Sequence, residues 1–193
     1  MAPAIADLGE ILAEALVRRR ASAERVPGAD AGRAAVRQVG EWCSARVLLA
    51  GDPLLDRLGI PDALAGAGCE VLRWPGGRGL GWRDLLGLDG PEHTCGVTVP
   101  ALAVAERGTL VLATGPGHGR SIDVVSMHHL AILPVSRLRA TLGEALGEMY
   151  ATGPAPSAVS LVSGPSRTSD IEKISTLGAH GALAMHVVMV DDE

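Results

Sequence analysis

Two stretches of the chain gather side chains suited to holding an anion. In Leu161–Asp170 (LVSGPSRTSD) an apolar run, Ala158–Val162, stops at Ser163 and Gly164 and gives way to polar and turn-forming residues. Ser163, Ser166 and Thr168 supply hydroxyl donors, and Arg167 supplies a planar fork that matches carboxylate or phosphate. Ser169 and Glu172 have the spacing of a capping box, and Gly178 suits a helix end, so the pattern predicts a helix over 169–177. The loop would then join a strand's C-terminal end to a helix N-terminus, where free amides favour an anion. A plain capped turn with a solvated arginine fits the same residues.

The second stretch, Gly115-Pro-Gly117-His-Gly119-Arg120, follows the apolar run Thr109–Ala113. Its glycines allow backbone amides to approach an anion, with Arg120 and Ser121 beside them. They serve turn geometry equally well. This is not a dinucleotide fingerprint, because that motif must open a helix and residues 121–133 lack a helical period.

Glu106, just before that apolar run, is a candidate general base or nucleophile. Accepting the amides of a neighbouring loop is the other role open to it, and the commoner one. His128 and His129 are adjacent, so on a strand they point to opposite faces and cannot chelate one ion. His93 and Cys95 lack metal-ligand spacing, and no metal site is expected. His180, in a Gly178-Ala-His-Gly181 loop, is the histidine suited to a ligand contact, whereas His186 is expected to pack. Cys43, Cys69 and Cys95 are odd in number and form no CxxC, so they read as small buried hydrophobes.

The elements that must position these residues follow from periodicity. Residues 5–20 predict an amphipathic helix, 21–31 a polar connector and 32–44 a second helix. Strands are predicted at 46–50, 70–74, 95–99, 109–113, 129–133, 158–162 and 185–190. Asp52 is placed to cap a helix with Pro53 as its first residue. A loop at 75–81, a helical turn at 82–86, a short helix at 100–106 and a longer one beginning at Ser136 complete the pattern. Such alternation predicts an α/β fold with a mostly parallel sheet and flanking helices. One domain over 1–193 is expected, with 1–31 as an N-terminal helix and connector, since this length buries a sufficient core.

Composition narrows the function classes. Net charge is −5, and the basic residues, all arginine except Lys173, are scattered. There is no phenylalanine and only one tyrosine, so nucleic-acid binding is not expected. No apolar run has the length of a membrane span. Met1–Leu16 carries Asp7, Glu10 and Glu14 and does not read as a signal peptide, so a cytoplasmic location is expected.

Four segments, in order, resemble the LUD-domain family, whose namesake is the lactate-utilisation protein C group. They are GVTVPALAVAERGTLVL (96–112), GHGRSIDVV through HHLAILP (117–134), SGPSRTSDIE (163–172) and GAHG (178–181). The resemblance covers residues 94–192. It implies a fold related to sugar-isomerase and CoA-transferase-like proteins, including formyltetrahydrofolate cyclo-ligase. It implies a part in oxidising L-lactate to pyruvate beside two partner proteins that carry iron–sulfur clusters, this chain binding no cofactor itself. It carries over Thr98, Glu106, Gly108, Thr109, Gly119, Arg120, Ser163, Gly164, Ser166 and His180, with Gly96, Pro165, Asp170, Ile171, Glu172, Gly178 and Gly181. The chain departs from the family pattern at Ala101, Arg107 and Ala182. An independent cyclo-ligase- or CoA-transferase-like enzyme acting on a nucleotide, CoA ester or folate is the second reading. A non-catalytic assembly or regulatory protein is the third.

Overall fold

The structure, a computed structural model, describes residues 5–74, 94–119, 122–151, 155–169, 175–177 and 181–191, with only the backbone at 5–6, 167–169 and 175–177. Its centre is a six-stranded sheet in which every neighbouring pair runs parallel. The spatial order is β1 (Ser22–Val26), β12 (Ala184–Val190), β7 (His128–Pro134), β4 (Thr94–Thr98), β2 (Arg46–Leu49) and β3 (Glu70–Arg73). A smaller sheet has the order β8 (Leu138–Arg139), β5 (Leu102–Val104), β6 (Thr109–Ala113) and β9 (Val159–Val162). The α/β fold with a mostly parallel sheet is as the alternation of apolar runs predicts.

Both faces of the large sheet are covered, as a parallel sheet requires. On one face, Ala31, Ala34, Ala35 and Val39 of α2 (Ala31–Glu41) pack on Leu130, Ile132, Val188 and Val190. Leu55 of α3 (Pro53–Arg57) and Ile60 and Leu64 of α4 (Ile60–Gly66) extend that layer. On the other face, Leu8, Leu12 and Leu16 of α1 (Ile5–Arg18) meet Ala131, Leu133, Met185, Val187 and Met189. The small sheet joins this second core through Ala103, Leu110 and Leu138. Its far side takes Ala145 of α6 (Leu142–Ala151) against Val104 and Val111. Leu12 and Leu16 are fully buried, each burial stabilising the fold by about 2 kcal/mol.

Four expectations are corrected. Residues 21–31 are more than a connector: Ser22–Val26 forms the edge strand β1, paired with β12 in parallel register. Residues 100–106 are not a helix. Leu102–Val104 pairs with β6 and β8, and only 105–107 turn as a 3₁₀ segment. A short apolar run does not distinguish strand from helix, and here burial on both sides decides for strand. The helix from Ser136 starts later: 135–137 is a 3₁₀ turn, and α6 begins after Thr141. There Thr141 Oγ1 accepts from Glu144 N (3.3 Å) while Glu144 Oε2 accepts from Thr141 N (3.4 Å), a reciprocal cap.

The fourth correction concerns 169–177. Its described ends are strand rather than helix: β10 (Arg167–Ser169) and β11 (Ser175–Leu177) pair antiparallel, Thr168 opposite Thr176. β-Branched threonines on both arms favour that pairing. The helix N-terminus on which anion binding by this loop was to rest is therefore not at Ser169, which is a strand residue. The expected loop 75–81 and turn 82–86 lie outside the described residues.

Candidate functional site

Strands β2 and β4 are neighbours, yet the chain leaves them in opposite directions. After β2 it enters α3 on one face; after β4 it enters β5 on the other. Such a divergence opens a crevice at the carboxyl ends of the strands. Local chemistry shapes its rim. Asp52 caps α3, its side chain accepting from Leu54 N at 2.8 Å, with Pro53 as first residue. Gly51 N donates to Gly117 O at 2.7 Å, docking the glycine-rich loop onto β2's end. The loop closes on itself, Gly115 and His118 exchanging two backbone hydrogen bonds of 3.1 Å.

Close approach explains two of the glycines. A Cβ on Gly51 would stand 2.2 Å from Trp74 O, and one on Gly119 would stand 2.5 Å from the Trp74 ring. The crevice holds a cavity of about 330 Å³, with Asp52, Gly117, His118 and Arg137 among its lining and apolar walls from Val99 and Ala113.

His118 has its side chain only 12% exposed, and its Nε2 is buried with no hydrogen-bond partner among the described residues. Asp123, on the short helix α5 (Ile122–Val125), brings Oδ1 to 3.9 Å from that nitrogen. Burial lowers the His118 pKa against the pull of the Asp52 charge, so the ring is neutral near pH 7. Burial raises the Asp123 pKa. Elsewhere in the core, His129 Nε2 bonds Thr98 Oγ1 at 2.8 Å. Burial, and secondarily His118, pushes the His129 pKa down to about 4. Arg137 Nη1 donates to Pro100 O at 2.8 Å and lies 4.0 Å from Asp52 Oδ2. A guanidinium has five N–H donors, more than these contacts use. A neutral imidazole and a guanidinium on one cavity suit a ligand with a hydroxyl or carbonyl beside a carboxylate.

The residues singled out from the sequence divide among three places. Gly117 lines the crevice, Gly119 packs at its edge and Thr98 bonds His129. Arg120 and His180 lie outside the described residues. Gly108, Thr109, Ser163 and Gly164 gather instead at the end of α1. Thr109 Oγ1 and Ser163 Oγ are 2.7 Å apart. Gly108 has φ +60° and would place a Cβ 2.9 Å from the Ala15 carbonyl carbon; Gly164 has φ +134° and would meet Arg19 O at 2.9 Å. These residues seat α1 on the small sheet. Beside them a cavity of about 490 Å³ is lined by Ala15, Arg18, Arg19, Glu106 and Arg107. Glu106 Oε1 accepts from Leu142 N at 3.4 Å, the first residue of α6, and is 3.7 Å from Arg107 Nε.

Ser166 lies at a third place. Its N donates to Ala182 O at 2.8 Å, next to Leu183, whose N donates to Met127 O. That is where β7 and β12 begin, the sheet edge opposite the crevice. Arg167 and Thr168 belong to β10. The two loops expected to share anion recognition are thus at opposite edges. His186, expected to pack, is buried on β12, and His128 stacks on Trp42 at 5.0 Å. Among the described residues no group of three or more His, Cys, Asp or Glu could hold a metal, and no helix is long and apolar enough to cross a membrane.

Sequence reasoning missed His118, Asp123 and Arg137. His118 was within reach, since it sits inside the flagged glycine loop. Arg137 was not, because it is brought to the crevice by a 3₁₀ turn that reads as helix in the sequence.

The model of the LUD domain matches residues 9–190. Lactate utilization protein C of Halalkalibacterium halodurans is 32% identical over 79% of this chain and 65% of its own length. The Shouchella clausii protein of that name is 35% identical over 51% of this chain and 44% of its own. Uncharacterized protein YkgG of Escherichia coli is 30% identical over 85% and 71%. The chain thus spans less than two thirds of the length of the first two relatives. A solved Deinococcus radiodurans structure described as a DUF162 family protein superposes with TM-score 0.69 at 19% identity, covering 98% of this chain and 99% of that one.

Proposed function

This chain belongs to the LUD-domain family, and from that premise we propose that it serves in L-lactate utilisation, holding a small 2-hydroxy or 2-oxo carboxylate in the crevice between β2 and β4. The observation that carries the reading is the buried Nε2 of His118, without a hydrogen-bond partner among the described residues, beside the cavity that Arg137 lines. Arg137 would take the carboxylate through paired N–H donors. Neutral His118 would meet the ligand's hydroxyl or carbonyl, satisfying an atom whose burial is otherwise costly. Relatives named lactate utilization protein C support the pathway.

Oxidising lactate requires an electron acceptor, and in this reading it resides on cytoplasmic iron–sulfur partners. This chain would bind and present the acid without a cofactor of its own. Glu106, exposed on the 105–107 turn and accepting from the first amide of α6, would have no part in that step.

The test is deletion of the gene followed by growth on L-lactate, with glucose as control and complementation by the intact gene or by Arg137→Ala. Loss of lactate growth alone, restored only by the intact gene, is expected. Unimpaired lactate growth in a strain with no second copy would sink the proposal. Stabilisation of the purified chain by a nucleotide, CoA ester or folate, but not by L-lactate or pyruvate, would favour a cyclo-ligase- or CoA-transferase-like enzyme. Stabilisation by none of them would favour an assembly or regulatory role.

A further inference from the structure

Edge strand β1 opens with Ser22, which is in register with His186 on β12. Ser22 is exposed, while His186 is 6% exposed. Ser22 Oγ lies 2.7 Å from His186 Nδ1, and His186 Nε2 lies 3.1 Å from Glu24 Oε1. The other oxygen of Glu24 takes the Arg37 guanidinium. These contacts fix the direction of every proton. A carboxylate paired with arginine only accepts, so Nε2 carries the ring hydrogen. Nδ1 then holds a lone pair, and the Ser22 hydroxyl must donate into it. Burial lowers the His186 pKa; Glu24 and Glu41 pull the other way and Arg37 adds to the lowering.

A hydroxyl backed by a neutral imidazole, itself oriented by a carboxylate, is the arrangement that activates a serine nucleophile. We propose that Ser22 is an acyl-acceptor serine, modified by activated acyl donors such as thioesters or acyl phosphates with His186 as base and Glu24 as its positioning residue. In the step, Oγ bonds to the donor's carbonyl carbon and its proton passes to Nδ1. The carbon–sulfur or carbon–oxygen bond to the leaving group breaks, and the proton leaves with the thiolate or phosphate. The product is an ester on Ser22. Among the described residues β1 is the outermost strand, so its alternate N–H groups point away from β12 and would be available to the developing oxyanion. This site lies at the sheet edge opposite the crevice and does not depend on the lactate reading.

The test is incubation of the whole chain with acetyl phosphate, then with an acetyl thioester, followed by peptide mass spectrometry. Background is low, because Lys173 is the single lysine. Ser157, which is exposed, serves as the internal control. Acetylation at Ser22 is expected to outpace that at Ser157 by about a hundredfold, the order that a positioned base contributes. His186→Gln is expected to remove that advantage, and Glu24→Gln to reduce it several-fold while the chain stays folded. Labelling of Ser22 no faster than Ser157, or labelling unchanged in folded Glu24→Gln, would overturn the proposal.

Discussion

His118 Nε2 and Asp123 Oδ1 stand 3.9 Å apart, with side chains 12% and 5% exposed. At that separation the two groups do not bond each other, and one ligand oxygen can reach both. Burial disfavours charge on each, lowering one pKa and raising the other. The pair is therefore suited to a neutral polar group, and Arg137 to the negative one.

His118→Leu is expected to leave thermal stability unchanged or raise it, by up to about 1 kcal/mol, since it removes an unsatisfied buried nitrogen. Any stabilisation by L-lactate or pyruvate should vanish in the same variant. Thermal unfolding with and without ligand reads both effects. A large loss of stability would mean that His118 has a structural partner instead.

Gly108→Ala should destabilise the fold by roughly 2 kcal/mol, combining a left-handed φ with a close approach to α1. Gly40→Ala, inside α2 with nothing near its would-be Cβ, should stabilise by about 0.5–1 kcal/mol. Urea denaturation of the two variants gives opposite shifts in midpoint if the close packing of α1 on the 105–108 turn is as described.

Acid is expected to weaken the fold before carboxylate titration does. His129 has its folded pKa pushed down to about 4 by burial first and His118 second, against 6.5 unfolded. The unfolded chain therefore binds the proton first as pH falls. The stabilising contribution is complete above pH 6.5 and is lost between there and about pH 4, amounting to about 3 kcal/mol. Burial lowers the pKa of His118, His128 and His186 as well, adding in the same direction. Asp123 works oppositely: its raised pKa costs stability as pH climbs above the unfolded value of 3.8. Equilibrium unfolding from pH 7.5 to 4.5 should show a steady loss, reduced in His129→Gln.

Glu106→Ala is expected to lower stability by about 0.5–1 kcal/mol, because it frees one amide at the start of α6. Thr141→Ala should cost about 1 kcal/mol by removing the cap of the same helix. Both variants should still restore growth on L-lactate. Failure of Glu106→Ala alone, with the protein folded, would return Glu106 to the catalytic role.

Thiol reactivity should follow burial. Cys95 is fully buried and its pKa is pushed up by desolvation, and Cys69 is raised for the same reason. Cys43 is exposed. Iodoacetamide at pH 8 should alkylate Cys43 in the native state and Cys95 only after unfolding.

Local chemistry was legible in the sequence wherever an element's identity rests on its own residues. The apolar runs at 46–50, 109–113 and 185–190 are strands because each is short and buried, and β-branched or leucine side chains fill that space. Asp52 with Pro53 starts α3 because the cap and the missing N–H act within one turn. His128 and His129 point apart because a strand alternates. The family could be recognised because its glycines sit where backbones nearly touch, so their spacing survives in the sequence.

Tertiary packing decided the rest. Leu102–Val104 became a strand because β6 on one side and the distant β8 on the other took its amides, and Arg167–Ser169 became one because it pairs with Ser175–Leu177 rather than opening a helix. The polar segment 22–26 became an edge strand because β12 offered a free ladder. Above all, the site depends on the divergence of β2 and β4. That divergence brings Asp52, His118 and Arg137 to one cavity while sending Ser166 to the opposite edge and Ser163 to α1. Residue types announce which groups can bind an anion, but convergence on one point is a property of the chain's path, which the order of residues does not display.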